Sequence, residues 1–236
     1  MDSFRRTALV AGILYLVTFI GSIPAALLLG AAQVDPTFAL AGIPDGQVRL
    51  AAVLELVNVL ACFGTAVAVF SVIRREHEGL ALGFVTTRLF EAATLGVGIL
   101  ALLTIATLRE AGTAVDDAVP ALAAIRFWSV LIGPGMAAFN ALMFATVLFR
   151  ARLVPRAIPA LGLVGAPLLI AFVAGTMLGL TGPGTAWQAI AVAPFFIWEL
   201  VVGLWMTFKG FDRSASIAPR VEIPSGLSAT AKAGVA

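Results

Sequence analysis

Six apolar runs of 22 to 29 residues, parted by breaks that carry most of the charge, dominate this chain. They lie at about Thr7–Leu29, Leu50–Ile73, Leu80–Leu108, Leu122–Phe149, Ile158–Leu180 and Trp187–Phe208. A helix needs about 20 apolar residues to cross the hydrocarbon core of a bilayer. In lipid, backbone polar groups must be satisfied within the segment, so such runs become helices. Composition agrees: the 236 residues are 61% hydrophobic and 12% charged, with a mean hydropathy of +1.04. A soluble domain carries roughly a quarter charged residues. An ordinary cytosolic enzyme, a nucleic-acid binder and a disordered protein are all excluded. The expected fold is an all-α polytopic bundle, with a six-span domain over residues 1–210. Residues 211–236, small and polar, are expected to form a disordered cytoplasmic tail.

Arg5 and Arg6 before the uncharged run Thr7–Val34 imitate a secretory signal. That run is longer than the roughly 7–15 apolar residues of a signal, so it reads as an uncleaved first span. Orientation follows from the basic residues, 13 of them Arg and two Lys. Arg5, Arg6, Arg74, Arg75, Arg150, Arg152, Arg156, Lys209, Arg213, Arg220 and Lys232 fall on one side; only Arg49 and Arg109 fall on the other. The positive-inside rule then places both termini in the cytoplasm. The linker Gly30–Arg49 would be external, with an interfacial turn around Phe38–Ile43. Gly182-Pro183-Gly184 breaks the chain between the fifth and sixth spans, and Pro24, Pro134, Pro167 and Pro194 mark expected kinks within spans. The two halves share no motif that would signal an inverted repeat.

The informative residues are those that hydropathy would not choose. Glu55 lies in the second span, Arg88 and Glu91 in the third, Arg126 in the fourth and Glu199 in the sixth. A charge at mid-bilayer costs roughly 2.5–3.5 kcal/mol on insertion scales, so these five should face one another or water. Helical spacing supports this. Glu55, Asn58, Cys62 and Thr65 form one stripe, and Arg88, Glu91, Thr94 and Gly98 a second. Arg126, Ser129, Gly133 and Asn140 form a third, and Gln188 and Glu199 lie about three turns apart. The candidate polar interior is therefore Glu55, Asn58, Arg88, Glu91, Arg126, Asn140 and Glu199.

Depth narrows the pairings. At ~1.5 Å per residue, Glu199 and Asn140 lie ~15 Å from the basic end, Arg88 ~20 Å, Glu91 and Asn58 ~24 Å, Glu55 ~28 Å and Arg126 ~36 Å. The expected pairs are Arg88 with Glu199, and Arg126 with Glu55 or Glu91, guanidinium forking onto carboxylate. The plainer alternatives are that such pairs only fix helix register, or that Arg126 snorkels outward beside Trp128. Three carboxylates against two guanidiniums leave one negative charge uncompensated, which is costly in low dielectric. One carboxyl should therefore be protonated or meet a cation or water, and Glu91 or Glu55 is the expected one.

Other features are weaker. Gly175 and Gly179 form a GxxxG on the fifth span, read as a packing motif within the bundle. Cys62 reads as a small buried hydrophobe, and the four Trp residues suit interfacial belts. With one Cys, and with the single His77 in a charged loop run, no metal-ligand set is expected. No GxSxG nucleophile or phosphate loop is present, and no cofactor is implied.

In order along the chain, Ala11-Gly12-Ile13-Leu14-Tyr15 is followed by Arg88-Leu89-Phe90-Glu91-Ala92 and then by Leu148-Phe149-Arg150. Leu153-Val154-Pro155-Arg156 and Leu161-Gly162 come next, and Glu199, Leu204-Trp205 and Lys209-Gly210 close the series. This ordered set resembles the domain-of-unknown-function 4386 family of bacterial six-helix membrane proteins, over about Arg6 to Gly210. Pro159 falls where an aliphatic residue is expected. The resemblance implies six spans and a bacterial inner membrane, and it suggests that Arg88, Glu91 and Glu199 share one constellation. It carries no established activity.

Three function classes stay open. A transporter would move a small solute or proton past the polar seams, with the odd carboxyl as coupling group. An accessory or sensor protein would use the buried pairs only for structure. An intramembrane enzyme acting on a lipid or isoprenoid would need a Glu as general acid or base; the only adjacent acidic pair, Asp116-Asp117, reads as a solvated turn. The expected partners are the lipid bilayer and, in the transport reading, a small molecule; no nucleic-acid partner is expected, and the sequence fixes no oligomeric state.

Overall fold

The computed structural model describes residues 3–30, 42–112 and 118–212. The expected interfacial turn, apart from Gly42 and Ile43, the Asp116-Asp117 turn and the tail beyond Asp212 lie outside them. The described residues form six helices and no strand: α1 (Ser3–Leu29), α2 (Asp45–Ile73), α3 (Glu78–Glu110), α4 (Ala118–Ala151), α5 (Ala157–Met177) and α6 (Ala186–Phe208). All six are long and apolar enough to span a membrane. The helices run through Pro24, Pro134, Pro167 and Pro194 without interruption. Pro159 sits in the first turn of α5, where a missing N–H costs little.

Each helix packs on its neighbours in sequence, and α6 closes against α1, so the six form a ring. Apolar side chains cover the outside: Leu27, Val67, Leu100 and Leu180 are all more than 60% exposed. Lipid tails are as apolar as leucine, so close packing rather than hydrophobicity must hold helices together. Glycine provides it. A Cβ on Gly12 would lie 2.8 Å from the Gly203 carbonyl, and one on Gly21 would lie 2.6 Å from the Leu54 carbonyl. Those two positions let the backbone of α1 approach α6 and α2.

On α5 the sequence expectation fails. Gly179 lies beyond the helix end with φ +71° and nothing near it. Its N–H donates to the Thr176 carbonyl at 3.0 Å, and that of Leu180 donates to Gly175 at 2.8 Å. This pair of bonds is a Schellman termination, which favours glycine because the left-handed conformation carries no Cβ penalty there. The packing glycines of α5 are Gly162 and Gly165, where a Cβ would strike the Trp198 ring and the Phe195 backbone at 2.6 Å.

Side chains finish the ring at both ends. Arg5 donates to the carbonyls of Met206 (3.0 Å) and Thr207 (2.7 Å), satisfying the C-terminus of α6. Such ends leave carbonyls unpaired and attract cations. The His77 Nδ1 caps α3 by accepting from the Leu80 N–H at 3.2 Å. At the opposite end Arg49 pairs with Glu110 at 2.6 Å and Arg109 with Asp45 at 3.3 Å, tying α2 to α3.

Candidate functional site

The five intramembrane charges all turn inward, and they sort into two groups. In the first, Arg126 on α4 forks onto Glu55 on α2: Nη1 donates to Oε2 at 2.8 Å and Nη2 donates to Oε1. Both residues are at least 95% buried. Gly98 on α3 makes the room, since a Cβ there would sit 2.8 Å from Arg126 Nη1. Arg126 thus pairs inside the bundle and does not snorkel toward Trp128.

The second group centres on Arg88. Its Nη1 donates to Glu91 Oε2 at 2.9 Å, one turn along α3, and its Nε donates to the Thr65 hydroxyl at 3.0 Å. Glu199 on α6 approaches the same Nη1 at 3.9 Å, an ion pair without a hydrogen bond. Sequence spacing assigned Arg88 to Glu199 alone; the nearer partner is Glu91, because residues three apart on a helix share a face. Asn140 on α4 donates to Glu91 Oε2 at 2.6 Å, and Cys62 approaches Glu91 at 3.9 Å and Asn58 at 3.8 Å.

Counting straight rods left gaps of about 9 Å between Asn140 and Glu91 and about 8 Å between Arg126 and Glu55. Helical side chains lean toward the N-terminus of their own helix. As α3 runs opposite to α4, Glu91 and Asn140 lean toward each other. Glu55 leans toward the end of the bundle where Arg126 sits. The lean narrows the first gap; α2 and α4 run parallel, so Glu55 and Arg126 lean the same way and the reach of the guanidinium spans the second.

The charge balance is also redistributed. Glu55 is saturated by Arg126, and Glu91 by Arg88 and Asn140. The carboxylate left over is Glu199, which accepts no hydrogen bond from the described residues and keeps its side chain 16% exposed. Glu199 is thus the carboxylate with the fewest close contacts, where the sequence points to Glu91 or Glu55 as the odd one.

Arg88 also lies over the Tyr15 ring, with its Cζ 5.1 Å from the centroid. Such a contact favours a cation on the ring face. Sequence reasoning missed α1 as a contributor. The signal was present: Tyr15, Thr18 and Ser22 follow helical spacing in an otherwise apolar span. Thr94, by contrast, leaves its stripe and bonds the Phe90 carbonyl of its own helix. Trp198 is no belt residue either, since it is fully buried against Gly162.

The second group, and not the first, borders a cavity of about 300 Å³. Arg88, Glu91 and Glu199 line it at one end, and Pro183 in the α5–α6 connection and Gln188 in the first turn of α6 at the other; Asn58 contributes from α2. Its walls are apolar and aromatic, with Phe19, Phe127, Phe172, Phe195 and Phe196 supplied by four helices. Arg88 Nη2, the Tyr15 hydroxyl and Asn140 Oδ1 are buried without a partner among the described residues. Among those residues no group of His, Cys, Asp and Glu could hold a metal ion. Of the seven predicted positions, five (Asn58, Arg88, Glu91, Asn140 and Glu199) gather around this cluster, while Glu55 and Arg126 stand apart.

Six span-length helices closed into a ring around buried ion pairs define a multi-pass membrane protein. Residues 10–210 match the family model described as Domain of unknown function (DUF4386), and the chain belongs to that family. No curated protein and no solved structure matches it.

Proposed function

We propose that this is a small-solute membrane protein of the transport type, with the central cavity as its binding site. One observation carries the reading: a cavity reached by all six helices has a guanidinium and two carboxylates at one end. At about 300 Å³ it falls at the lower limit of small-molecule sites, which pair apolar walls with a few polar groups. Unpartnered buried donors and acceptors beside it need water or a solute, because buried polar groups rarely stay unsatisfied. Glu199, short of a partner, is the group that would meet a solute cation or a proton. In this reading the Arg126–Glu55 pair is structural, a register lock outside the cavity.

The distribution of basic residues supports cytoplasmic termini, and the family resemblance supports a bacterial cytoplasmic membrane. Labelling of single cysteines in a Cys62→Ala background tests the reading. Asn58→Cys and Gln188→Cys should react with a hydrophilic, membrane-impermeant thiol reagent, and Leu100→Cys on the lipid face should not. An unreactive Asn58→Cys in folded protein would make the cavity dry and remove the case for transport.

A further inference from the structure

A second cavity, about 360 Å³, lies at the end of the bundle that carries Ser3 and Asp212. It forms between the α4–α5 turn and the segment after α6. Arg152, Arg156 and Lys209 line it, with Trp205 at its side and Asp212 as its one carboxylate. The Asp212 N–H donates to the Leu153 carbonyl at 2.8 Å, which staples the two segments together and makes the cavity a built feature. Arg156 is steadied by the Phe149 ring, 5.0 Å from its Cζ.

The backbone adds an independent observation. Arg152 has φ 55°, the one left-handed non-glycine among the described residues. It stands immediately after α4, and the Leu153 N–H reaches back to the Leu148 carbonyl at 3.2 Å. Glycine is the default at this position, because a Cβ is crowded there. Any basic residue in the neighbouring loop would serve orientation equally well. A guanidinium held where the backbone prefers glycine implies that the side chain is needed at that spot.

We infer that the Arg152–Arg156–Lys209 cavity binds the phosphate of an anionic lipid headgroup. Arginine forks suit phosphate oxygens, and basic pockets at the polar ends of spans take anionic headgroups. A lipid is favoured over free phosphate by what lies next to the cavity. Leu204 and Phe208 are exposed within a turn or so of Lys209, and Phe208 is 71% exposed. They offer an apolar track for acyl chains directly beside the charged hollow, while half-buried Trp205 marks the interface.

The test uses the full chain in nanodiscs of phosphatidylcholine, with or without phosphatidylglycerol, followed by thermal unfolding. The wild type should melt about 2–4 °C higher with phosphatidylglycerol. Arg152→Gly should melt at or above the wild type in pure phosphatidylcholine, because strain is relieved, yet lose most of the lipid response. Arg152→Lys should keep part of the response, and Arg75→Gln, a basic loop residue outside the cavity, should keep all of it. A wild type indifferent to phosphatidylglycerol would overturn the proposal. So would an Arg152→Gly variant with an undiminished response, an equal loss in Arg75→Gln, or the same shift from inorganic phosphate alone.

Discussion

The two buried charge groups share residue types, yet they are built to opposite ends. Arg126 and Glu55 satisfy each other by a two-pronged contact, nearly sealed from solvent and wedged against Gly98. Arg88 is divided among Glu91, Thr65 and a distant Glu199, with a cavity alongside. A sealed pair has nothing to offer a visitor. An oversubscribed guanidinium with a spare carboxylate does. Burial alone therefore does not separate the two groups; division of partners beside open volume does, and the proposed site rests on that difference.

The largest effect should come from breaking the sealed pair. Arg126→Leu leaves Glu55 uncompensated and should cost about 3–5 kcal/mol, whereas Arg126→Met with Glu55→Leu should recover most of it. Thermal unfolding in nanodiscs measures both, and a double variant no better than the single would mean the charges do more than lock two helices. Next in size, Gly98→Leu should cost about 1–3 kcal/mol by overpacking against the guanidinium. Its effect should shrink in the charge-free double variant.

Glu199→Gln should lower stability by less than about 1 kcal/mol, since the ion contact it removes is long and partly solvated. It should still alter solute-induced shifts in melting temperature. A loss as large as that of Arg126→Leu would make the Arg88 group a second lock. Smallest of all, Arg49→Ala should cost about 0–1 kcal/mol, fading as salt is raised, because its partner Glu110 is exposed.

The spans were readable because hydrophobic length is a property of one segment at a time. The Arg126–Glu55 pair was readable as one of two choices, since stripe and depth left Arg126 few partners. What the sequence hid depends on how helices face one another. Glu91 was offered to Arg126 because straight rods ignore the lean of side chains. Tyr15 was overlooked because one aromatic residue in an apolar span looks like core. Gly175 and Gly179 imitated a packing motif, while the true contacts ran through Gly162 and Gly165, whose partners lie on another helix. Closure of α6 on α1 has no local signature; Gly12 and Gly203 reveal it only once the ring is drawn.

The clamp of Arg5 on α6 joins residues 201 positions apart. During biosynthesis the first span must therefore wait in the bilayer, its guanidinium among headgroups or water, until the ribosome has delivered the last. Chains cut short before Ala186 would lack both the carbonyls that receive Arg5 and the wall that seals the hollow. Membrane quality control would meet an open horseshoe with its polar seam turned toward lipid, a form readily told apart from the finished ring.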